Sequence, residues 1–235
     1  MNAQTRRGVV ITGAAGALGQ AVAQHFLDQG ARVALLDRDE ARLREVFADR
    51  AGAAPHLLMA ADVTSADDMR DIAERIDVAW QGVDVLVHVA GGFEMGQPVH
   101  SLDRAAWDRM MNLNAWAFVA VSRAFVPLML RAGGGKVVAV SARSAQSGLA
   151  LQSAYCASKS ALQRLVESLS QEVRTQGIHV NSVAPTIMDT PANRRDMPDA
   201  DRSAWVTTQQ AAQAIGYLAG DAAAAVHGRH LVLGA

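Results

Sequence analysis

Short apolar runs alternate with amphipathic stretches along nearly the whole chain, and this rhythm constrains the fold more than any other feature. Residues 8–12 (GVVIT), 32–36 (RVALL), 56–60, 84–89 (DVLVHV), 136–141 (KVVAVS), 178–183 and 229–233 (RHLVL) read as strands. Between them, 17–29, 39–50, 66–80, 104–131, 153–175 and 209–219 carry helical patterns. Leu162, Leu165, Val166, Leu169 and Val173 recur at helical spacing in one of these, and Gly30 and Gly177 stop two of them. Strands this apolar, each followed by a helix, need a parallel sheet covered on both faces. The expected architecture is therefore α/β: a doubly wound, seven-stranded parallel sheet.

The 235 residues, 50% hydrophobic and 19% charged, supply a sizeable core and exclude a mostly disordered chain. Neither a linker nor a repeat divides them, so 1–235 reads as one domain. The irregular stretch, about 186–205, follows Pro185 and holds Pro191, Pro198 and many charges; it reads as a flap over a site. A net charge of -1 and a pI near 6.6 give no field for nucleic acid or an anionic membrane. The most apolar helical pattern, 115–130, is broken by Ser122, Arg123 and Pro127, and no membrane span is expected. Arg6 and Arg7 precede an apolar run as in a signal peptide, but that run passes straight into a turn. The lone Cys156 cannot form an internal disulfide, which fits a reducing, cytoplasmic setting. Cys and His do not pair at ligand spacing, and no metal is expected.

The first strand-turn-helix reads Thr12-Gly13-Ala14-Ala15-Gly16-Ala17-Leu18-Gly19. Glycines three apart let backbone approach a pyrophosphate closely, and the following helix offers its free N–H groups to that charge. Asp37 ends the second strand 18 residues past Gly19, where a carboxylate accepts from ribose hydroxyls and repels a 2′-phosphate. NAD is thus preferred to NADP, although Arg38 alongside would pair with a 2′-phosphate if Asp37 turned away. Asp62, with Val63 after it, ends the third strand and reaches toward an adenine edge. Tyr155 and Lys159 lie four apart on one helical face. A nearby ammonium lowers a phenol's pKa, and such a tyrosine exchanges a proton with a carbonyl oxygen as hydride moves.

Together these features resemble the short-chain dehydrogenases/reductases over the whole chain. TGAAGALG is similar to their TGxxxGxG loop and YCASK to their YxxxK motif. Asn114 matches their helix asparagine, and Pro185-Thr186-Ile187-Met188-Asp189-Thr190 their PGxxxT stretch. The resemblance implies a Rossmann-type fold and hydride transfer between NAD and a carbonyl or secondary alcohol. It implies that Lys159 binds the nicotinamide ribose, Asn114 holds a proton-relay water, and Ile187 and Thr190 touch carboxamide or phosphates. Ala90 and Gly91 would line the adenosine ribose. A homodimer or homotetramer through 104–131 and 153–175 is implied as well.

Three positions depart from the pattern. Ala17 stands where a second glycine is usual. His88-Val89 replaces Asn-Asn, and inside an apolar strand His88 reads as a hydrogen-bonded structural residue. The serine expected 13 residues before the tyrosine is Ala142, flanked by Ser141 and Ser144, either of which would substitute if the loop bends. Ser141 should point to the other side of its strand.

The missing serine resembles the dihydropteridine reductases, as do Ala90-Gly91-Gly92 and the flap from Asp189 to Trp205. Those enzymes lack Asn114. Reduction of a quinonoid pterin is thus one alternative function, and a non-catalytic NAD-binding sensor or scaffold is another. Met188, Arg194, Arg195, Met197 and Trp205 of the flap, with Phe93, Glu94 and Met95, are the expected substrate wall.

Overall fold

The computed structural model describes residues 6–50 and 56–234. The main sheet is built from β1 (Gly8–Thr12), β2 (Arg32–Asp37), β3 (Leu57–Ala60), β4 (Val85–His88), β5 (Gly135–Val140), β6 (Ile178–Pro185) and β9 (His230–Leu233). These seven strands are parallel and lie in the order β3-β2-β1-β4-β5-β6-β9. The helices are α1 (Ala17–Asp28), α2 (Glu40–Val46), α3 (Ala66–Trp80), α4 (Arg104–Met111), α5 (Ala117–Arg131), α6 (Ser153–Val173), α7 (Pro191–Asp196) and α8 (Thr208–Ala219). This is the doubly wound, single-domain α/β fold expected from the alternation.

Side-chain alternation along the strands divides the core into two layers. Val10, Leu36, Leu86 and Val137 pack with Met69, Ile76, Phe118, Phe125 and Leu162 of α3, α5 and α6. Val9, Ile11, Leu35 and Val87 pack with Val22, Phe26, Ile215 and Leu218 of α1 and α8. The strand order reverses between β1 and β4, which opens a crevice beyond their carboxyl ends.

Three elements differ from the sequence expectations. The 39–50 pattern forms only α2 and a short 3₁₀ turn (Ala48–Arg50). The flap is more regular than a loop: β7 (Met188–Asp189) pairs with β8 (Val206–Thr207), and α7 lies between them with Pro191 in its first turn. The 104–131 helix is continuous but carries a π turn at Asn112–Trp116. By length and composition alone, with mean hydropathy 1.5, that helix would pass for a membrane span, as a core helix can. Its apolar residues face the core, and 56% of the window is buried.

Candidate active site

The glycine loop is held by contact rather than by its own turn. Gly13 has φ +67°, and a Cβ there would lie 2.8 Å from the Ala90 nitrogen. A Cβ on Gly19 would lie 2.1 Å from the Gly13 oxygen. Ala17, by contrast, simply opens α1. No side chain caps α1 at Gly16, so its first-turn N–H groups are open to the crevice.

A cleft of about 1490 Å³ runs along this end of the sheet. Of the predicted cofactor residues, Gly13, Gly16, Ala17, Leu18, Gly19, Asp37, Arg38, Asp62, Val63, Ala90, Gly91 and Thr190 line it. Pro185 is buried at the end of β6 and Ile187 faces solvent, 44% exposed; neither lines the cleft. The turn after β6 directs alternate residues outward, leaving Met188 and Thr190 on the cleft side. Asp37 accepts from Ala15 N at 2.9 Å and from Asp39 N at 3.3 Å, which fixes the carboxylate against the glycine loop. Asp62 accepts from Thr64 N and Oγ1, a local turn that leaves its backbone edge on the cleft.

Tyr155 and Lys159 of α6, also predicted to meet the cofactor, do not line this cleft; Lys159 stands behind its lining residues Val140 and Gly91. Lys159 is buried, and its Nζ donates to Val140 O at 2.9 Å. Burial pulls its pKa down to about 8. A Cβ on Gly91 would lie 3.1 Å from Lys159 Nζ and 2.9 Å from Asn114 Oδ1, so both groups border Gly91. Asn114 is committed to the backbone: Oδ1 accepts from Gly92 N (2.9 Å) and Nδ2 donates to Gly92 O (3.0 Å). Nδ2 also reaches Ser158 Oγ at 3.0 Å, and Ser158 in turn donates to Tyr155 O at 2.8 Å. The asparagine side chain thus clamps the β4–α4 loop to α6. Ser158 was not singled out from the sequence, although a serine at 0% exposure inside a helix signals a polar contact.

Tyr155 is half-buried beside Phe93, with ring centroids 4.8 Å apart and nearly perpendicular. Burial pushes its pKa up to about 12, against a downward pull from a hydrogen bond with Ser144. This corrects the expectation that Lys159 depresses the phenol. The two residues share a helical face, but the ammonium is turned onto Val140 and desolvation governs the tyrosine. The serine question divides cleanly. Ser141 is 3% exposed, and its hydroxyl is directed at Lys159 O, 3.5 Å away, not at the tyrosine. Ser144 sits in the 3₁₀ turn Arg143–Gln146, which Ser160 Oγ anchors to α6 by donating to Ala145 O at 2.6 Å. That turn brings Ser144 to Tyr155 across the space left by Ala142.

His88 is structural, as the sequence suggested. Its Nδ1 lies 3.0 Å from Thr12 Oγ1, which also accepts from Ala90 N (3.3 Å), and its Nε2 is buried without a hydrogen-bond partner among the described residues. Burial, and secondarily the Lys159 charge, lower its pKa to about 3. The ring stays neutral, as a charged lysine nearby requires.

The expected substrate wall is partly reassigned. Glu94 forms a bidentate ion pair with Arg109 of α4. Arg194 is paired with Asp189, and Trp205 is 9% exposed beneath Arg202. Arg195 lines the nucleotide cleft. Phe93 and Met95 remain open to solvent, 58% and 52% exposed.

A nicotinamide dinucleotide fits these residues: uncapped helix N–H groups, a carboxylate at the ribose position, and a lysine bordering Gly91. Comparison with known proteins agrees. The family model for short chain dehydrogenases matches residues 7–201, and the chain belongs to that family of nicotinamide-dependent oxidoreductases. It is 32% identical over 236 residues to a cis-4-hydroxycyclohexanecarboxylate dehydrogenase of Sinomonas cyclohexanicum, covering 97% of this chain and 94% of the relative. It is 30% identical over 237 residues to a D-threitol dehydrogenase of Mycolicibacterium smegmatis, covering 95% and 90%. A crystal structure of a putative short-chain dehydrogenase/reductase from Burkholderia xenovorans superposes with a TM-score of 0.88 at 25% identity, covering 98% and 96%. That of levodione reductase superposes with 0.89 at 23% identity, covering 97% and 96%.

Proposed function

We propose that this protein is an NAD(H)-dependent oxidoreductase that interconverts a ring ketone and its secondary alcohol, with Tyr155 as the proton donor and acceptor. The observation that carries the reading is that Tyr155, with Ser144 close enough to act on its phenol, shares the α6 face with Lys159, whose Nζ borders the cleft residue Gly91. When bound, the cofactor supplies or accepts the hydride. In the reducing direction Tyr155 gives its hydroxyl proton to the carbonyl oxygen as the carbon gains the hydride. Ser144 donates to that same oxygen and offsets its developing charge, in place of the family serine. Lys159 holds the nicotinamide ribose.

The Asp37 carboxylate supports NAD over NADP, since a 2′-phosphate beside it would be repelled. The ring substrate is supported by what surrounds Tyr155. Phe93 packs on it, Met95 follows, and Leu149 and Leu151, 47% and 43% exposed, stand on the facing loop, which Gly96 N joins by donating to Leu151 O at 2.9 Å. Such a carbon-rich mouth suits the alicyclic acid of the Sinomonas relative better than the polyol of the Mycolicibacterium one. A second reading, reduction of a quinonoid dihydropterin, is favoured by Ala142 in the serine slot. We further propose a homodimer across α4, α5 and α6, supported by Trp107 and Trp116, 37% and 43% exposed beside a groove between those helices. Sedimentation as a monomer at micromolar concentration would remove that proposal.

The functional test is NADH and NADPH oxidation with cyclic ketones, open-chain ketones and quinonoid dihydropterin. Faster turnover of cyclic ketones with NADH is expected, and Tyr155→Phe should abolish it while NADH still binds. Turnover of the pterin alone would move the assignment to the second reading. Turnover by Tyr155→Phe would overturn the proton-transfer role.

A further inference from the structure

The flap places one unpaired cation on the nucleotide cleft. The β7–β8 ladder sets Met188 against Val206 and Asp189 against Thr207, so Thr190 lies beside Thr208 at the start of α8. Helix α8 packs along α1, with Gly216 seated against His25. Thr190, Arg195 and Thr208 line the same cleft as Gly16, Ala17 and Leu18 at the start of α1.

The other polar side chains in and beside α7, Asp196 excepted, are engaged within the flap. Thr190 caps the helix by accepting from Asn193 N, and Asn193 Nδ2 donates to Met188 O at 2.8 Å. Arg194 makes two bonds to the Asp189 carboxylate. Arg195 has no hydrogen-bond or ion-pair partner among the described residues. The cleft's other arginines differ: Arg42 is paired with Glu45, Arg109 with Glu94, and unpaired Arg38 lies at the far, Asp37 end. An exposed guanidinium without a protein partner, on the same cleft as the uncapped N–H groups of α1, is suited to a dianion.

We propose that Arg195 is a cofactor-binding residue, which binds the diphosphate of the dinucleotide from the flap side, opposite the glycine loop. The proposal rests on the nicotinamide-cofactor reading above. It gives two neighbouring arginines different roles, in that Arg194 shapes the flap through Asp189 and Arg195 meets the ligand.

The experiment measures binding of NADH by fluorescence, and of ADP-ribose and adenosine by calorimetry, to wild type, Arg195→Gln and Arg123→Gln. Arg123→Gln removes the same charge from exposed α5, and thermal melts check that both variants fold. Arg195→Gln should weaken NADH and ADP-ribose alike by roughly 10- to 100-fold, leave adenosine unchanged and flatten the salt dependence of NADH binding. Unchanged ADP-ribose affinity in Arg195→Gln would overturn the proposal. So would an effect confined to the KM of an anionic ketone, which would make Arg195 a substrate contact. Failure of the wild type to bind NADH would instead overturn the cofactor reading.

Discussion

Replacing Lys159 with Met should stabilise this protein while removing its activity. The lysine is 5% exposed, and burial lowers its pKa from an ordinary 10.5 to about 8. That difference corresponds to about 3 kcal/mol by which the folded state disfavours the charged form. Its hydrogen bond to Val140 O returns ~1 kcal/mol, which Met would forfeit. The net gain is about 2 kcal/mol at pH 7, or about 4–8 °C in Tm for a chain of this size. Below pH 8 the lysine is charged in both states and the penalty is fully present. Between about 8 and 10.5 the unfolded chain binds the extra proton, so wild-type stability rises with pH. Lys159→Met lacks that rise. Melting both proteins at pH 7 and pH 10, and taking the difference, cancels the shared contribution of the other buried lysine, Lys136. A variant less stable than wild type at pH 7, or a gap that does not shrink by pH 10, would refute the argument.

Three further outcomes follow from the geometry. Because burial holds the Tyr155 phenol up to about 12, the 295 nm absorbance of the cofactor-free protein up to pH 10 should be the same in wild type and Tyr155→Phe. A phenolate at pH 8 that is present in wild type and absent from Tyr155→Phe would contradict this. Ser144→Ala should lower kcat about 100-fold with little change in NADH affinity, whereas Ser141→Ala should lower Tm and spare turnover; the reverse pattern in steady-state kinetics would exchange their roles. Gly19→Ala puts a methyl 2.1 Å from the Gly13 oxygen, so NADH binding should be lost or the melt lowered by several degrees; a variant with wild-type affinity and Tm would mean the loop yields freely.

The sheet was legible because parallel strands buried on both faces must be continuously apolar, and the glycine loop and YCASK lie at strand-helix junctions that the pattern locates. Other features depend on contacts between distant residues. Ser144 reaches Tyr155 only because Ser160 pins the intervening turn, and spacing alone does not report that bond. Asp189 draws Arg194 out of the substrate wall, leaving Arg195 on the cleft, a division that two adjacent arginines do not disclose. The tyrosine's raised pKa comes from burial under the β4–α4 loop, while helical spacing suggested the opposite sign.

The π turn at Asn112–Trp116 has a consequence for how the chain tolerates changes in length. It inserts one residue into an otherwise regular helix and so offsets the two halves by about 100°. The first half can then address Gly92 through Asn114 while the second half buries Phe118, Val121 and Phe125 against the sheet. Deleting Asn112 would let ordinary helical pairing resume, and Asn114 would rotate off Gly92 without the loss of a single apolar side chain. Length is therefore fixed in the middle of this helix, where composition is forgiving. The stretch between α7 and Trp205 works the other way: residues can be gained or lost there, while the identities that matter, Asp189 of β7 and Arg195 of α7, lie before it.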